Sequence, residues 1–307
     1  MSGALEAILT PRLAGLGLSA RELLVRDAPG GLDRPGIQSA NRHCRLLPAR
    51  DGWVALNLAR AEDRELVPVL CGSEKEPWAA LKGLAAGISA ATFRDRAAEL
   101  QLPVAVLGEC MEQDLAPVDP VCAPRKVVDL AALWAGPLCA GLLARAGAAV
   151  VRIESLGRPD PTPQVSPLLD ARINADKTRL ALDLRTPQGR EELYQQIAKT
   201  DVLVTSARPA ALARLGLVPE KWPDLTWVAI TAHGFHGPGA ERVGFGDDCA
   251  VAGGLVSWES GEPGFLGDAL ADPLTGFEAA QAVLAGQRGL IDMAMARVAA
   301  AYARRLA

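Results

Sequence analysis

The chain has 307 residues, half of them apolar and only 4% aromatic, with a net charge of −4. That length and apolar content are enough for a full hydrophobic core in two domains and exclude a disordered chain. The slight acidic excess is spread without a basic cluster, so nucleic acid is excluded as a partner, and no run approaches the roughly 20 apolar residues that span a bilayer, so a membrane is excluded as well. Six cysteines, Cys44, Cys71, Cys110, Cys122, Cys139 and Cys249, are scattered without a Cys-x-x-Cys pair or a histidine at ligand spacing. They read as buried thiols in a reducing compartment and imply no metal. The N-terminal stretch has no basic region ahead of its apolar residues and is broken by Glu6 and by Thr10-Pro11, so a soluble, cytoplasmic protein is expected.

Residues 1–112 read as a small α+β domain. A first helix leads into the Gly- and Pro-rich loop 27–36, and residues 44–58 form a hairpin with Asp51-Gly52 as its turn. Helices follow near Arg60–Leu70 and Thr92–Leu100, and Pro103–Leu107 is a closing strand. Residues 113–125, punctuated by Pro117, Pro120 and Pro124 and lacking periodicity, read as a linker.

Residues 126–307 alternate between strand and helix. Val127–Glu154 is a strand, a Gly-Pro turn, a helix and a second strand, which is the βαβ unit of a parallel sheet. Strands at Leu180–Leu184, Val202–Thr205 and Trp227–Thr231 follow, separated by a helix from Thr186-Pro187 to about Lys199 and a short one at Pro209–Leu215. Thr186 before Pro187 is a capping residue followed by proline at the first helical position. The pattern predicts an α/β fold: a doubly wound, mostly parallel, Rossmann-like sheet with a smaller N-terminal α+β domain. Residues 291–305 read as a helix with one apolar face.

Ligands in such a sheet bind at the carboxyl ends of its strands, where helix N-termini present amide N–H groups. The loops Leu133–Leu138, Glu154–Asp160, Thr205–Pro209 and Ala232–Pro238 should meet on that rim. Arg158, Lys177, Arg179, Arg208 and Arg214 lie on or near them, a grouping of cations suited to an anionic ligand. Trp134, Trp258 and Phe265 either line an apolar pocket or belong to the core. In Gly267–Gly276 two carboxylates, Asp268 and Asp272, precede a long apolar helical run. Asp272 before Pro273 fits either a helix cap or a nucleophile held at the positive end of a helix, and the local pattern does not choose between them.

Five motifs resemble, in family order, the class III CoA-transferases of CaiB/BaiF type, which include formyl-CoA transferases and α-methylacyl-CoA racemases. They are Val128-Asp-Leu with Ala135-Gly-Pro, Gly147–Glu154, Asn174–Leu184 with Thr186–Gly189, Arg208-Pro with Leu212–Leu217, and Asp272-Pro-Leu-Thr-Gly276. The resemblance implies covalent transfer of CoA from an acyl-CoA to a carboxylic acid, with coenzyme A carried by the substrate, no metal, and a homodimer. It assigns the nucleophile to Asp272, with Asp268 as a nearby helper or structural acid. Ala135, Asn174, Lys177 and Arg208 match positions that contact the CoA nucleotide. Arg158 is assigned to the phosphates, and Trp134 and Arg214 join the cofactor-binding set.

The chain departs from the family pattern in two respects. A segment resembling the family's small domain, around Ser39–Glu109, comes first here, so the chain looks permuted and compact. The stretch where the family's racemases carry a His-Asp pair reads Val243–Asp248 and has no histidine. His233 and His236 lie earlier, at a strand end. The alternatives to a transferase are an acyl-CoA racemase or isomerase using Asp272 with Asp247 or Asp248, and a non-catalytic acyl-CoA-binding subunit.

Overall fold

The computed structural model describes residues 3–115 and 124–307; most of the 113–125 connection, with Pro117, Pro120 and Cys122, lies outside the described residues. Strands β1 (Cys44–Ala49), β2 (Gly52–Asn57) and β3 (Val104–Val106) form an antiparallel sheet in that order. The hairpin turns at Arg50-Asp51, one residue earlier than the sequence suggests, because Gly52 already pairs with Ala49 while the Asp51 carboxylate accepts the Ala90 N–H at 2.7 Å. The stretch read as one helix at Arg60–Leu70 is two short ones, Ala61–Glu65 and Val67–Cys71, since Pro68 can only occupy a first turn. A further helix at Pro77–Gly87 gave no signal strong enough to be read from sequence. Leu47, Val54, Leu56, Leu81, Phe93 and Val104 are the centre of this unit's core.

The large sheet contains β4 (Lys126–Leu130), β5 (Ala149–Ser155), β6 (Lys177–Leu182), β7 (Val202–Thr205), β8 (Thr226–Thr231) and, after a two-stranded hairpin of β9 (Val256–Glu259) and β10 (Glu262–Phe265), β11 (Leu290–Ala294). Its order is β11-β8-β7-β4-β5-β6 and every neighbouring pair is parallel. Every residue of β7 and β8 is buried, as required of strands covered on both faces, and their Val, Leu, Ile and Trp runs are the sequence expression of that burial. The strand order reverses between β4 and β7, so the ligand crevice of a doubly wound sheet lies there, under the loops Ala131–Trp134 and Ser206–Arg208. The two loops are tied by the Ala132 N–H donating to Ser206 Oγ at 3.0 Å.

Two further readings need correction. The strand placed at Leu180–Leu184 begins at Lys177, and the C-terminal stretch read as one helix from Ile291 is β11 followed by a helix at Met295–Leu306. Gly286 and Gly289 both have positive φ and swing the chain back to the sheet edge, where residues 290–294 pair with β8; helical periodicity starts only after Ala294.

The helix Gly3–Leu13 packs on the large sheet's helices: Leu5, Leu9 and Leu13 are fully buried with Leu274, Phe277 and Val298. A buried set of polar groups fastens it. The Arg12 guanidinium donates to both Glu278 carboxylate oxygens and, at 3.0 Å, to Tyr302 Oη, and Tyr302 Oη donates to Glu278. The N-terminal segment is thereby held over the helices that shape the candidate site. Among the described residues no helix is long and apolar enough to cross a membrane.

Candidate active site

Asp272 lies in the first turn of the helix Ala271–Leu284, whose N-cap is Leu270 and makes no side-chain cap bond. The capping reading of Asp272 therefore fails, since the carboxylate sits one residue inside the helix. This helix runs tightly against the one at Ala135–Arg145. A Cβ on Gly276 would come within 2.5 Å of the Ala135 carbonyl oxygen, so the Thr-Gly pair after Asp272 marks a position where only glycine lets the helices approach.

Four carboxylates converge from three segments: Asp272, Asp268 four residues before it, and Asp247 and Asp248 in the first turn of the helix Gly246–Ala252. Asp247, Asp248 and Asp268 are buried, while Asp272 is half-buried and keeps an edge toward solvent. The Gly246 backbone N–H is donated to Asp272, and a Cβ on Gly246 would lie 2.3 Å from Asp272 Oδ2. Asp247 accepts the Ala269 N–H at 2.8 Å, which holds Ala269 at φ 46°, a left-handed conformation unusual for alanine. Asn41 bridges the cluster from the N-terminal segment: its amide donates to Asp247 Oδ2 at 2.6 Å and to Asp268 Oδ1 at 2.9 Å, while its oxygen accepts from Ser39 Oγ and the His43 N–H.

Among the described residues, Arg26 is the arginine that acts on Asp247, Asp268 and Asp272. Arg26 pairs with Asp268 through both Nε, at 2.6 Å, and Nη2, at 3.1 Å, and its guanidinium lies 5.3 Å from the ring centroid of buried Trp134. Trp134 is the N-cap residue of the helix Ala135–Arg145, and its buried indole N–H has no partner among the described residues. The cluster thus sits beside the loop after β4, at the crevice the strand order defines.

Burial pushes the Asp272 carboxyl up to about 7; Arg26 opposes the rise, Asp247 and Asp268 add to it, and the Gly246 amide opposes it. Burial, reinforced by Asp268 and opposed by Asn41, brings Asp247 to about 6. Asp248, which accepts the Phe245 N–H and the Asn57 amide, is pushed by burial to about 8. Because its folded-state value is raised, the native protein binds the Asp248 proton more tightly than the unfolded chain does. Stability contributed by that proton is present below about pH 4 and is lost as pH rises toward 8. Asp248→Asn keeps an acceptor for Phe245 and removes the charge. Its melting temperature is expected to fall less than that of the wild type between pH 6 and pH 9; parallel curves would show that Asp248 does not carry this proton.

The sequence-predicted residues separate into three groups. Asp272, Asp268, Trp134 and the buried helix start at Ala135 belong to the site. Lys177 and Asn174 lie inside the protein and their polar atoms are engaged. Lys177 Nζ donates to Asp129 Oδ2 at 2.8 Å, to the Pro137 carbonyl at 2.6 Å and to Asn174 Oδ1 at 2.7 Å, and the Asn174 amide donates to Asp170. As placed here neither presents a donor to a nucleotide; each anchors the βαβ unit from beneath. Arg158, Arg208 and Arg214 are exposed. Arg158 follows β5 and Arg208 follows β7, both on the carboxyl rim, with Arg208 bonded to Gln101 Oε1 and the Glu241 carbonyl. Arg214 lies in the last turn of the helix Pro209–Arg214.

Of the aromatic candidates, Trp134 and Phe265 are buried and Trp258 is exposed. Burial pushes His233 down to about 4, keeping its ring neutral beside Cys110. Sequence reasoning missed Arg26 and Asn41, which reach Asp268 across separations of 242 and 227 residues; no local pattern signals such contacts.

Residues 123–301, more than half of the chain, match the family model CoA-transferase family III. The chain is 30% identical over 181 residues to a cinnamoyl-CoA:phenyllactate CoA-transferase of Clostridium sporogenes, covering 54% of this chain and 44% of that protein. It is 32% identical over 178 residues to a formyl-CoA:oxalate CoA-transferase of Bradyrhizobium diazoefficiens, covering 52% and 40%. The match thus spans less than half the length of either relative. A crystal structure of Rv3272 from Mycobacterium tuberculosis superposes with a TM-score of 0.53 at 28% identity, over 60% of this chain and 57% of that one.

Proposed function

The chain belongs to CoA-transferase family III, and from that premise we propose that it moves CoA from an acyl-CoA to a carboxylic acid through a covalent intermediate on Asp272. The observation that carries this reading is the placement of Asp272. It is half-buried in the first turn of a helix, accepts the Gly246 amide, shares a carboxylate cluster with the Arg26-paired Asp268, and its helix packs on the one that starts after β4. A carboxylate drawn out of bulk water and aimed at a crevice is a stronger nucleophile than a solvated one.

An Asp272 oxygen attacks the thioester carbonyl, the C–S bond breaks, and the CoA thiolate leaves with the electron pair to give a mixed anhydride. The thiolate then attacks the aspartyl carbonyl, expelling the donor's carboxylate and leaving an aspartyl-CoA thioester. An acceptor carboxylate repeats the two steps in reverse, so that CoA leaves on the acceptor and Asp272 is regenerated. The exposed arginines on the rim, Arg158 and Arg208, are the groups available to the phosphates of CoA. Dimerisation, carried over from the family resemblance, is part of the same reading.

The test is to incubate the protein with a panel of acyl-CoAs and isotopically labelled free acids and to follow new acyl-CoA by mass spectrometry. Labelled acyl-CoA formed only with a matched donor is expected. Its rate should rise with pH through a midpoint near 7, because Asp272 must lose its proton before it attacks. Formation of free acid and CoA without a labelled thioester would contradict transfer. A second reading has one observation in its favour: Asp247 follows Gly246, which packs on the Asp272 carboxylate, so two carboxyls that burial pushes up share one site, as an acid–base pair for proton transfer at a thioester α-carbon requires. Deuterium entering the α-position from solvent, without CoA transfer, would favour it.

A further inference from the structure

Resting on that reading, we propose that Arg26, contributed by the N-terminal segment outside the family-matched stretch, is a positioning residue that holds a fixed positive charge in the carboxylate cluster containing Asp272, joined to it through Asp268, Asn41 and Asp247. Two geometric facts place it. It makes a two-point ion pair with Asp268 and lies against the Trp134 ring, so its plane is fixed from two directions. The backbone on either side is also pinned. Asp27 accepts the Leu168 and Leu169 N–H groups at the start of the helix Pro167–Asn174, its carbonyl accepts from Ser166 Oγ at 2.7 Å, and the Val25 carbonyl accepts from Arg172. Arg26 Nη1 makes no hydrogen bond among the described residues, which leaves its two N–H groups unused by the ion pair.

An arginine that served only to neutralise Asp268 would need neither the aromatic stack nor a backbone clamped at the adjoining residues. The groups that act on Asp272 come from every element around it: Arg26 from the N-terminal segment, Asp247 and the Gly246 amide from the helix Gly246–Ala252, and Asp268 from the loop ahead. The Cys249 thiol also interacts with Asp272. Arg26 is the cation among them, and its effect on Asp272 exceeds that of Asp247 and of Asp268. In a family whose matched region supplies the nucleophile, the charge that holds it in its reactive form here arrives from another part of the chain.

The experiment reads Asp272 directly and does not require turnover. Coupling of glycine ethyl ester to Asp272 by a water-soluble carbodiimide, which needs the protonated carboxyl, is followed against pH by peptide mass spectrometry. The wild type, Arg26→Lys, Arg26→Gln and the double variant Arg26→Gln/Asp268→Asn are compared. The double variant removes the ion pair as a neutral set and keeps the measurement possible if Arg26→Gln alone does not fold. The proposal expects the Asp272 midpoint to rise by about one pH unit or more in Arg26→Gln. It expects a smaller rise in the double variant and a near wild-type midpoint in Arg26→Lys. An unchanged midpoint in folded Arg26→Gln or in the double variant, or an equal shift in Arg26→Lys, would overturn it. Absence of CoA transfer in the wild type with the Arg26-dependent shift intact would count against the transferase reading alone.

Discussion

Asp272→Asn is expected to abolish CoA transfer, lowering turnover by roughly 10³-fold or more, because no other group in the cluster can take its place as nucleophile. Asp268 is held by Arg26 and Asn41, and Asp247 by Asn41 and the Ala269 amide. Both are buried, whereas Asp272 keeps an edge to solvent. The substitution preserves shape and removes a charge that burial disfavours, so the variant should melt no lower than the wild type and should still bind acyl-CoA. Turnover by the variant within tenfold of wild type would move the nucleophile elsewhere. Loss of both turnover and acyl-CoA binding would indicate a structural role for Asp272.

The second large effect lies beneath the site. Asp129, fully buried at the end of β4, accepts from Lys177 Nζ at 2.8 Å and from Arg152 Nη1 at 3.1 Å, and its other oxygen accepts the Ala131 N–H. Burial pushes its carboxyl up, but the two cations outweigh that and hold it below the usual aspartate range. Burial in turn lowers Lys177, against the pull of Asp129. Asp129→Ala leaves Lys177 buried without an ion-pair partner, while Arg152 keeps Asp160 and Glu154, and is expected to cost about 3–5 kcal/mol, read as a fall in denaturation midpoint. Without Asp129, Lys177 binds its proton less tightly in the native state than in the unfolded one. The variant should therefore regain stability as pH rises through the alkaline range, and Lys177→Met in the same background should recover part of the loss at neutral pH. A loss below 1 kcal/mol, insensitive to pH, would show that the pair is not buried as described.

What could be read from sequence follows the range of the interactions involved. The strand, turn and helix order of the large unit was visible because apolar runs such as Val202–Thr205 and Trp227–Thr231 are bounded by local turn signals, and Thr186-Pro187 starts its helix as a capping residue and proline should. Asp272 stood out as a candidate because its setting, Asp272-Pro-Leu-Thr-Gly276, is written in five consecutive positions, but those positions left cap and nucleophile open and the family resemblance made the assignment. The residues around it were not. Arg26 and Asn41 come from the start and just after the end of a Gly- and Pro-rich stretch with no periodicity, and that stretch is brought to the crevice by long-range contacts: the N-terminal helix through Arg12 and Glu278, and Asp27 on the helix Pro167–Asn174. β11 was read as helix because Ile291, Met293 and Met295 have apolar spacing compatible with both structures, and its pairing with β8 decided between them. Lys177 was read as a cation for the CoA nucleotide because its partner Asp129 lies 48 residues away on another strand.

The most direct test of the account is to trap the intermediate. The protein is incubated with each acyl-CoA, quenched with hydroxylamine, digested, and the peptide containing Asp272 examined by mass spectrometry. Hydroxylamine cleaves an aspartyl anhydride or thioester to a hydroxamate. A hydroxamate on Asp272, formed only with a productive donor and absent in Asp272→Asn, is the predicted result. Efficient CoA transfer with Asp272 unmodified, or with the hydroxamate on another carboxylate, would contradict it.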